Sequence, residues 1–301
     1  MKLTRFIIGV MAIVAVIDIL MGVGSKYYVK NYTLPGDYQP IDYVIKHTNE
    51  DIILLGSSVV LNSVMPTVIE DSLNMTCYNG GGNGQNLIFC RTMLDCILKR
   101  YIPKMIVLGL RPNDLASPGL GRYNLLVPYY HIGFEIVDSC LESKNSYEKY
   151  LMASNLYRYN TIWFRILLYH FITPDTRGEK GYVAKQNPLY PPEMTTTKGS
   201  RHIDENRLRD FMYLVNTCKE NGIDMVVYFP PTYTKYEGQS VSVNKVRAIC
   251  SENNIPCFYD AEDSEFLQHK EWFFDNVHLA KDGGLIYSQR LAHRLKTIQK
   301  E

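Results

Sequence analysis

The sequence predicts an α/β domain built on a five-stranded parallel sheet. Three observations carry this. Five short apolar runs are bounded by turn signals, helical patterns lie between them, and the polar motifs follow the runs rather than sit inside them. Strands that alternate with helices form parallel sheets with right-handed crossovers. The composition agrees: 46% of residues are hydrophobic and 21% charged, which excludes a disordered tail, a collagen-like fibre and a coiled coil. Lys and Arg number 32 against 31 Asp and Glu and are spread along the chain, so no basic patch argues for nucleic acid as a partner.

The first element is an 18-residue apolar run, Phe6 to Val23, broken only by Asp18 and preceded by Lys2 and Arg5. At ~1.5 Å per residue it nearly spans a ~30 Å hydrocarbon layer. It reads as a membrane anchor over residues 1–30, with 31–301 on the extracytoplasmic side (periplasmic or cell-surface). A cleaved signal peptide, with a weak site at Gly22–Gly24, and a buried soluble helix are the alternatives.

The strands follow in order: Ile52–Leu55, Met75–Tyr78, Met105–Leu110, Met225–Phe229 and Pro256–Tyr259. Helices are expected at Pro66–Leu73, Leu87–Arg100, Glu205–Asn221, Val243–Asn253 and Ala280–Gln299, from apolar residues near a 3.6-residue period and from Gly222 as a stop signal. More than 110 residues separate the third and fourth strands, far more than a crossover needs, so 115–200 is an insertion. Within it Phe134–Leu141 and Asn155–Phe171 look helical, and Gly181–Ser200 reads as loop. Ten tyrosines and Trp163 fall there. Tyr129 and Tyr130 are candidates for an exposed platform that stacks on sugar faces; rings that simply pack a helical cap are the alternative.

Seven cysteines show neither C-x-x-C nor paired zinc-ligand spacing, and their pairing is not legible. His47, His131, His170, His202, His269 and His293 show no ligand spacing either, so no metal or other cofactor is expected.

Four motifs follow the ends of different strands, the edge at which open α/β sheets bind ligands. Gly56-Ser57-Ser58 can lift the Ser58 hydroxyl on a strand-to-helix turn, although Val60 breaks the G-x-S-x-G nucleophile elbow. Asn79–Asn86 holds four glycines and can offer backbone amides, Gly84 among them, to an anion; a tight turn is the plain alternative, and Gln85 excludes a P-loop. Gly109-Leu-Arg111-Pro-Asn113-Asp114 brings an amide, a carboxylate and a guanidinium to the edge. Asp275-Asn-Val-His278 spaces a carboxylate so that it can hold one ring nitrogen while the other faces a nucleophile.

These blocks together resemble the SGNH hydrolase superfamily, or GDSL-like esterases, and within it the membrane-anchored branch related to DltD and the alginate O-acetylation proteins. The resemblance runs from Asp51 to Gln299, leaving out the insertion. It implies a flavodoxin-like three-layer sandwich, with Ser58 as nucleophile, His278 as general base and Asp275 as its orienting carboxylate. It also implies an oxyanion hole from Ser58, Gly84 and Asn113. Two departures stand out: Ser57 replaces the family Asp before the nucleophile, and the third block has two extra residues relative to G-x-N-D, which makes Arg111 a substitute for Asn113 as donor or substrate-binding residue.

The implied chemistry is acyl transfer through a covalent seryl ester, with water as acceptor in an esterase or a sugar hydroxyl in a transferase. The expected substrate is an acylated carbohydrate of the cell envelope or a secreted polysaccharide, or a small ester, and other polysaccharide-acylation proteins are candidate partners. A lipid or thioester hydrolase and a non-catalytic glycan-binding component are the competing readings.

Overall fold

The computed structural model describes residues 2–116, 123–160, 162–171 and 179–299. They form two compact units: residues 2–43 with 123–160 and 162–171, and residues 44–116 with 179–299.

The second unit carries the parallel sheet. Its strands are β1 (Ile52–Gly56), β2 (Cys77–Asn79), β3 (Met105–Gly109), β4 (Thr195–Lys198), β5 (Asp224–Phe229), β6 (Thr234–Glu237) and β7 (Cys257–Tyr259). Five of them pair in the order β2-β1-β3-β5-β7, every neighbour parallel, and Gly56 at the end of β1 stands beside Gly109 and then Tyr228. Alternate residues face opposite ways, as the pleat requires. Ile52, Leu54, Val107 and Val226 pack with Ile69, Tyr287, Leu291 and Leu295 from the helices Pro66–Leu73 and Lys281–Ile298. The helices Leu87–Leu98 and Glu205–Glu220 pack on each other and onto β1 and β5, completing the three layers. The predicted fold class holds.

Boundaries moved where caps and pairing decide them. The helix expected from Val243 starts at Val241, because the Ser240 hydroxyl accepts from the Val243 amide at 3.3 Å. The expected loop Gly181–Ser200 contains β4, which pairs in parallel with β6 in a separate two-stranded sheet. Three consecutive threonines, stiff at χ1, suit that strand. Residues 179–200 therefore belong to the sheet unit and not to a single insertion. All seven cysteines are free thiols, and those of Cys250 and Cys257 hydrogen-bond across a helix-to-strand turn.

The first unit is helical. The helix Lys2–Asn31 has a mean hydropathy of 2.7 over its most apolar stretch and is long and apolar enough to cross a membrane. It does not stand apart as the division at residue 30 predicts, since its second half is built into the unit. Asp18 accepts from the Ser154 hydroxyl and the Leu156 amide, each at 2.8 Å, and from the Asn155 side chain at 2.9 Å. At Gly22 a Cβ would strike the Asn155 side chain. Trp163 donates its ring N–H to Ser25 Oγ at 2.7 Å. The expected helix Asn155–Phe171 is two helices, Asn155–Tyr159 and Ile162–Phe171; position 161 lies outside the described residues, as do 117–122 and 172–178 of the expected insertion.

Candidate active site

Ser58 opens the short helix Ser58–Leu61 directly after β1. The Ser57 carbonyl accepts from the amides of Val60 and Leu61, so the chain turns from strand to helix within one residue and leaves the half-buried Ser58 hydroxyl at the carboxyl edge of the sheet.

His278 reaches the same edge from the other end of the sequence. Phe273 and Leu279 flank its turn, pair through their backbones in an antiparallel bridge, and root the turn in the core with their buried side chains. Inside the turn the Asp275 Oδ1 atom accepts from the amides of Val277 and His278, both at 2.8 Å. The same carboxylate meets the ring, with His278 Nδ1 at 2.9 and 3.0 Å from its two oxygens. Because a carboxylate only accepts, the ring proton sits on Nδ1 and Nε2 is left as an acceptor. Ser58 Oγ lies 2.7 Å from that Nε2 and donates to it. Partial burial pushes the Asp275 carboxyl up, but the hydrogen bonds from the His278 ring and the two amides outweigh it and lower it to about 2. The carboxylate is therefore charged throughout the neutral range.

Sequence reasoning missed Asn276, which braces this turn from within. Its carbonyl accepts from the Tyr233 amide and the Thr234 hydroxyl, each at 3.0 Å, and its side-chain amide donates to the carbonyls of Glu193 and Tyr233. These partners sit beside β4 and at the start of β6, so the signal for them was the Thr195–Thr197 run, read as loop.

The glycine loop closes on the Ser58 helix. Gly82 donates its amide to the Gly56 carbonyl at 3.1 Å, and at Gly81 a Cβ would lie 2.6 Å from the Leu61 nitrogen, an approach only glycine permits. Asn79 is spent on structure: its amide group donates to the carbonyls of Val60 and Val64 and accepts from Gly81, all at 2.9 Å. Gly84, with φ +66°, is exposed. Among the described residues the amides of Ser58 and Gly84 have no protein acceptor.

The third block is placed differently from the expectation. The Asn113 side chain accepts from the Ser200 amide at 3.0 Å and donates to the Lys198 carbonyl at 3.4 Å, so its hydrogen bonds run to the end of β4. Arg111 is folded back on Asp114, with Nε at 2.9 Å and a second nitrogen at 2.8 Å from Oδ1, and the charge of Asp114 raises the guanidinium further. Neither side chain bonds to Ser58 or His278.

Tyr129 and Tyr130 are corrected outright, for both are buried in the helical unit rather than exposed. Tyr129 donates to Asp42 at 2.6 Å and Tyr130 to Glu142 at 2.7 Å. A phenol satisfied by a carboxylate inside a packed unit is core, and no ring face is left for a sugar. A hollow lined by Met105, Ile223, Met225, Asn253 and Pro256 opens at the amino edge of the sheet, opposite the triad.

No family model and no curated protein matches the chain. Among solved structures it is similar to the lipase/acylhydrolase from Enterococcus faecalis, at 9% identity and a TM-score of 0.37, over 82% of this chain and 95% of that one.

Proposed function

We propose that the chain is a serine-dependent O-acyl esterase or O-acyltransferase of the SGNH type. One observation carries the reading: the unbroken hydrogen-bond chain Ser58 Oγ, His278 Nε2, His278 Nδ1, Asp275, assembled at the carboxyl edge of a parallel sheet. Ser58 Oγ attacks an ester carbonyl while His278 Nε2 takes its proton, and Asp275 stabilises the imidazolium that results. The tetrahedral oxyanion is met by the Ser58 and Gly84 amides, each such donor contributing roughly 2.7–4 kcal/mol in the transition state. Asn113 is a secondary donor at most, since its amide serves Lys198 and Ser200. Collapse expels the alkoxide, which recovers the proton from His278 and leaves acyl-Ser58. Water or a sugar hydroxyl then repeats the sequence in reverse.

The helix Lys2–Asn31 is proposed to remain as an anchor. Asp18 and Ser25 serve as partners for residues 154–163, and cleavage at Gly22–Gly24 would remove the Asp18 acceptor from that folded unit. An anchored acyl-transfer enzyme outside the cytoplasm suits an acylated envelope or secreted polysaccharide as substrate, with other acylation proteins as partners.

The test is a fluorophosphonate applied to the full chain in detergent, followed by peptide mass spectrometry. A phosphonyl adduct on Ser58 is expected, and hydrolysis of a small acetyl ester is lost with it. An adduct on another serine, or hydrolysis that survives labelling of Ser58, overturns the mechanism. Acetylated sugar compared with a long-chain ester then separates the polysaccharide reading from a lipid hydrolase.

A further inference from the structure

The helix Ile162–Phe171 wears its apolar side chains outward. Phe164, Leu167 and Leu168 are 68, 57 and 39% exposed, and Phe171, one turn on, is exposed as well. Positions i, i+3, i+4 and i+7 form a single stripe along a helix, and on a water-facing helix that stripe is polar. Here the opposite side is already occupied. Ile162 is buried, the Trp163 ring donates to Ser25 and lies 5.6 Å from the Tyr28 ring, and the Arg165 guanidinium stands over Tyr38.

That inner attachment fixes where the apolar stripe is presented. Ser25 comes two residues after Val23, the last residue of the apolar run, so Trp163 is pinned at the level where the span leaves hydrocarbon. Tyr27, Tyr28 and Tyr32 cluster at the same level, with the Tyr28 and Tyr32 rings stacked at 5.2 Å and Tyr27 edge-on to Tyr32. Tyrosine and tryptophan collect at membrane–water boundaries because their rings are apolar and their polar tips need partners. The span and the stripe are thus continuous parts of one unit, which names the occupant.

Resting on the anchor reading above, we propose that the helix Ile162–Phe171 is a second membrane contact, lying in the headgroup–acyl boundary with Phe164, Leu167 and Leu168 in lipid. The segment between the third and fourth sheet strands then works as a membrane collar for the anchor instead of a carbohydrate platform.

The full chain in nanodiscs, whose phosphatidylcholine carries a diazirine in its acyl chain, tests this without any substitution. After irradiation, adducts are mapped by peptide mass spectrometry. Peptides covering Phe164–Leu168 should be labelled at least about tenfold above those of the helix Glu205–Glu220, as expected for a face sunk ~5–10 Å into the boundary. Peptides covering Phe6–Val23 report the anchor by themselves: if they too are unlabelled, the anchor reading fails. Labelled span peptides with a bare Ile162–Phe171 helix overturn the collar alone. That result with a dimer by light scattering assigns the stripe to a second copy, which also overturns it. A triple Phe164→Ser, Leu167→Ser, Leu168→Ser variant should lose the collar adducts, keep those on the span, and hydrolyse a soluble ester at the wild-type rate.

Discussion

The two units of this molecule dispose of their apolar side chains in opposite directions. In the sheet unit Ile52, Leu54, Val107 and Val226 are sealed between layers, and the reactive groups stand together at one edge. In the helical unit Phe6, Met11, Ile13, Leu20, Phe164 and Leu167 face outward, while phenols and carboxylates such as Tyr129 and Asp42 are buried against each other. A sheet that closes on its own helices needs nothing outside itself. The helical unit is amphipathic inside out, with an apolar surface of the kind that marks membrane or protein contacts. Aromatic abundance in a segment is therefore no guide to ligand binding until the direction of its side chains is known.

The contrast is tested hardest at Ser58. Ser58→Ala or His278→Ala should lower hydrolysis of a small acetyl ester by roughly 10⁴-fold or more while circular dichroism stays unchanged, because residues acting as one unit lose most of the rate singly. A Ser58→Ala protein that retained over about a tenth of the rate would leave no room for a seryl ester.

Asp275→Asn comes next. It leaves the ring in place but favours the wrong tautomer, an effect worth roughly 10⁴ in turnover in serine enzymes of this design. It also carries a pH signature. The carboxyl is lowered from 3.8 to about 2 in the folded chain, so between those values the unfolded chain binds the extra proton. The carboxylate's contribution to stability is thus complete above about pH 4 and lost as pH falls towards 2. Thermal midpoints of wild type should fall faster over that window than those of Asp275→Asn. Parallel slopes would mean the hydrogen bonds within the turn contribute nothing.

A smaller effect is expected at Asn276, which positions the turn without touching substrate. Asn276→Ala removes the side-chain donor to the carbonyls of Glu193 and Tyr233 and should reduce kcat by up to about 10²-fold, the scale of a 1 Å misplacement, with KM unmoved. A change confined to the thermal midpoint would make its role structural only.

The smallest effect falls in the other unit. Tyr129→Phe removes the donor to Asp42 and should cost about 1–3 kcal/mol, read as a drop in midpoint, with the small-ester rate unaltered. A raised KM for an acylated oligosaccharide at constant midpoint would restore the platform reading.

What was legible in the sequence follows the same division. Apolar runs of strand length and helices of 3.6 period report burial between layers, so the five sheet strands and their order of chemistry could be read directly. Asp275 and His278 were visible because their geometry is local, three residues apart on one turn. The Asn113 contacts were not, since its partners Lys198 and Ser200 lie at and just past the end of a strand that pairs only in the folded chain. The burial of Tyr129 was hidden for a different reason: Asp42 lies 87 residues away, and nothing in either neighbourhood marks the pair.

The doubled use of Asp275 has a consequence in time. The contacts that set the His278 tautomer, 2.8 Å to the amides and 2.9 Å to the ring, lie within four consecutive residues, whereas the Ser58 contact closes over 220 positions of sequence. Short loops close in well under a microsecond and long-range sheet pairing is slow. On refolding, the Asp275–His278 contacts form locally, but they persist only once Phe273 and Leu279 are buried and Asn276 meets Tyr233, so the imidazole resonance of an oriented His278 should return together with hydrolytic turnover.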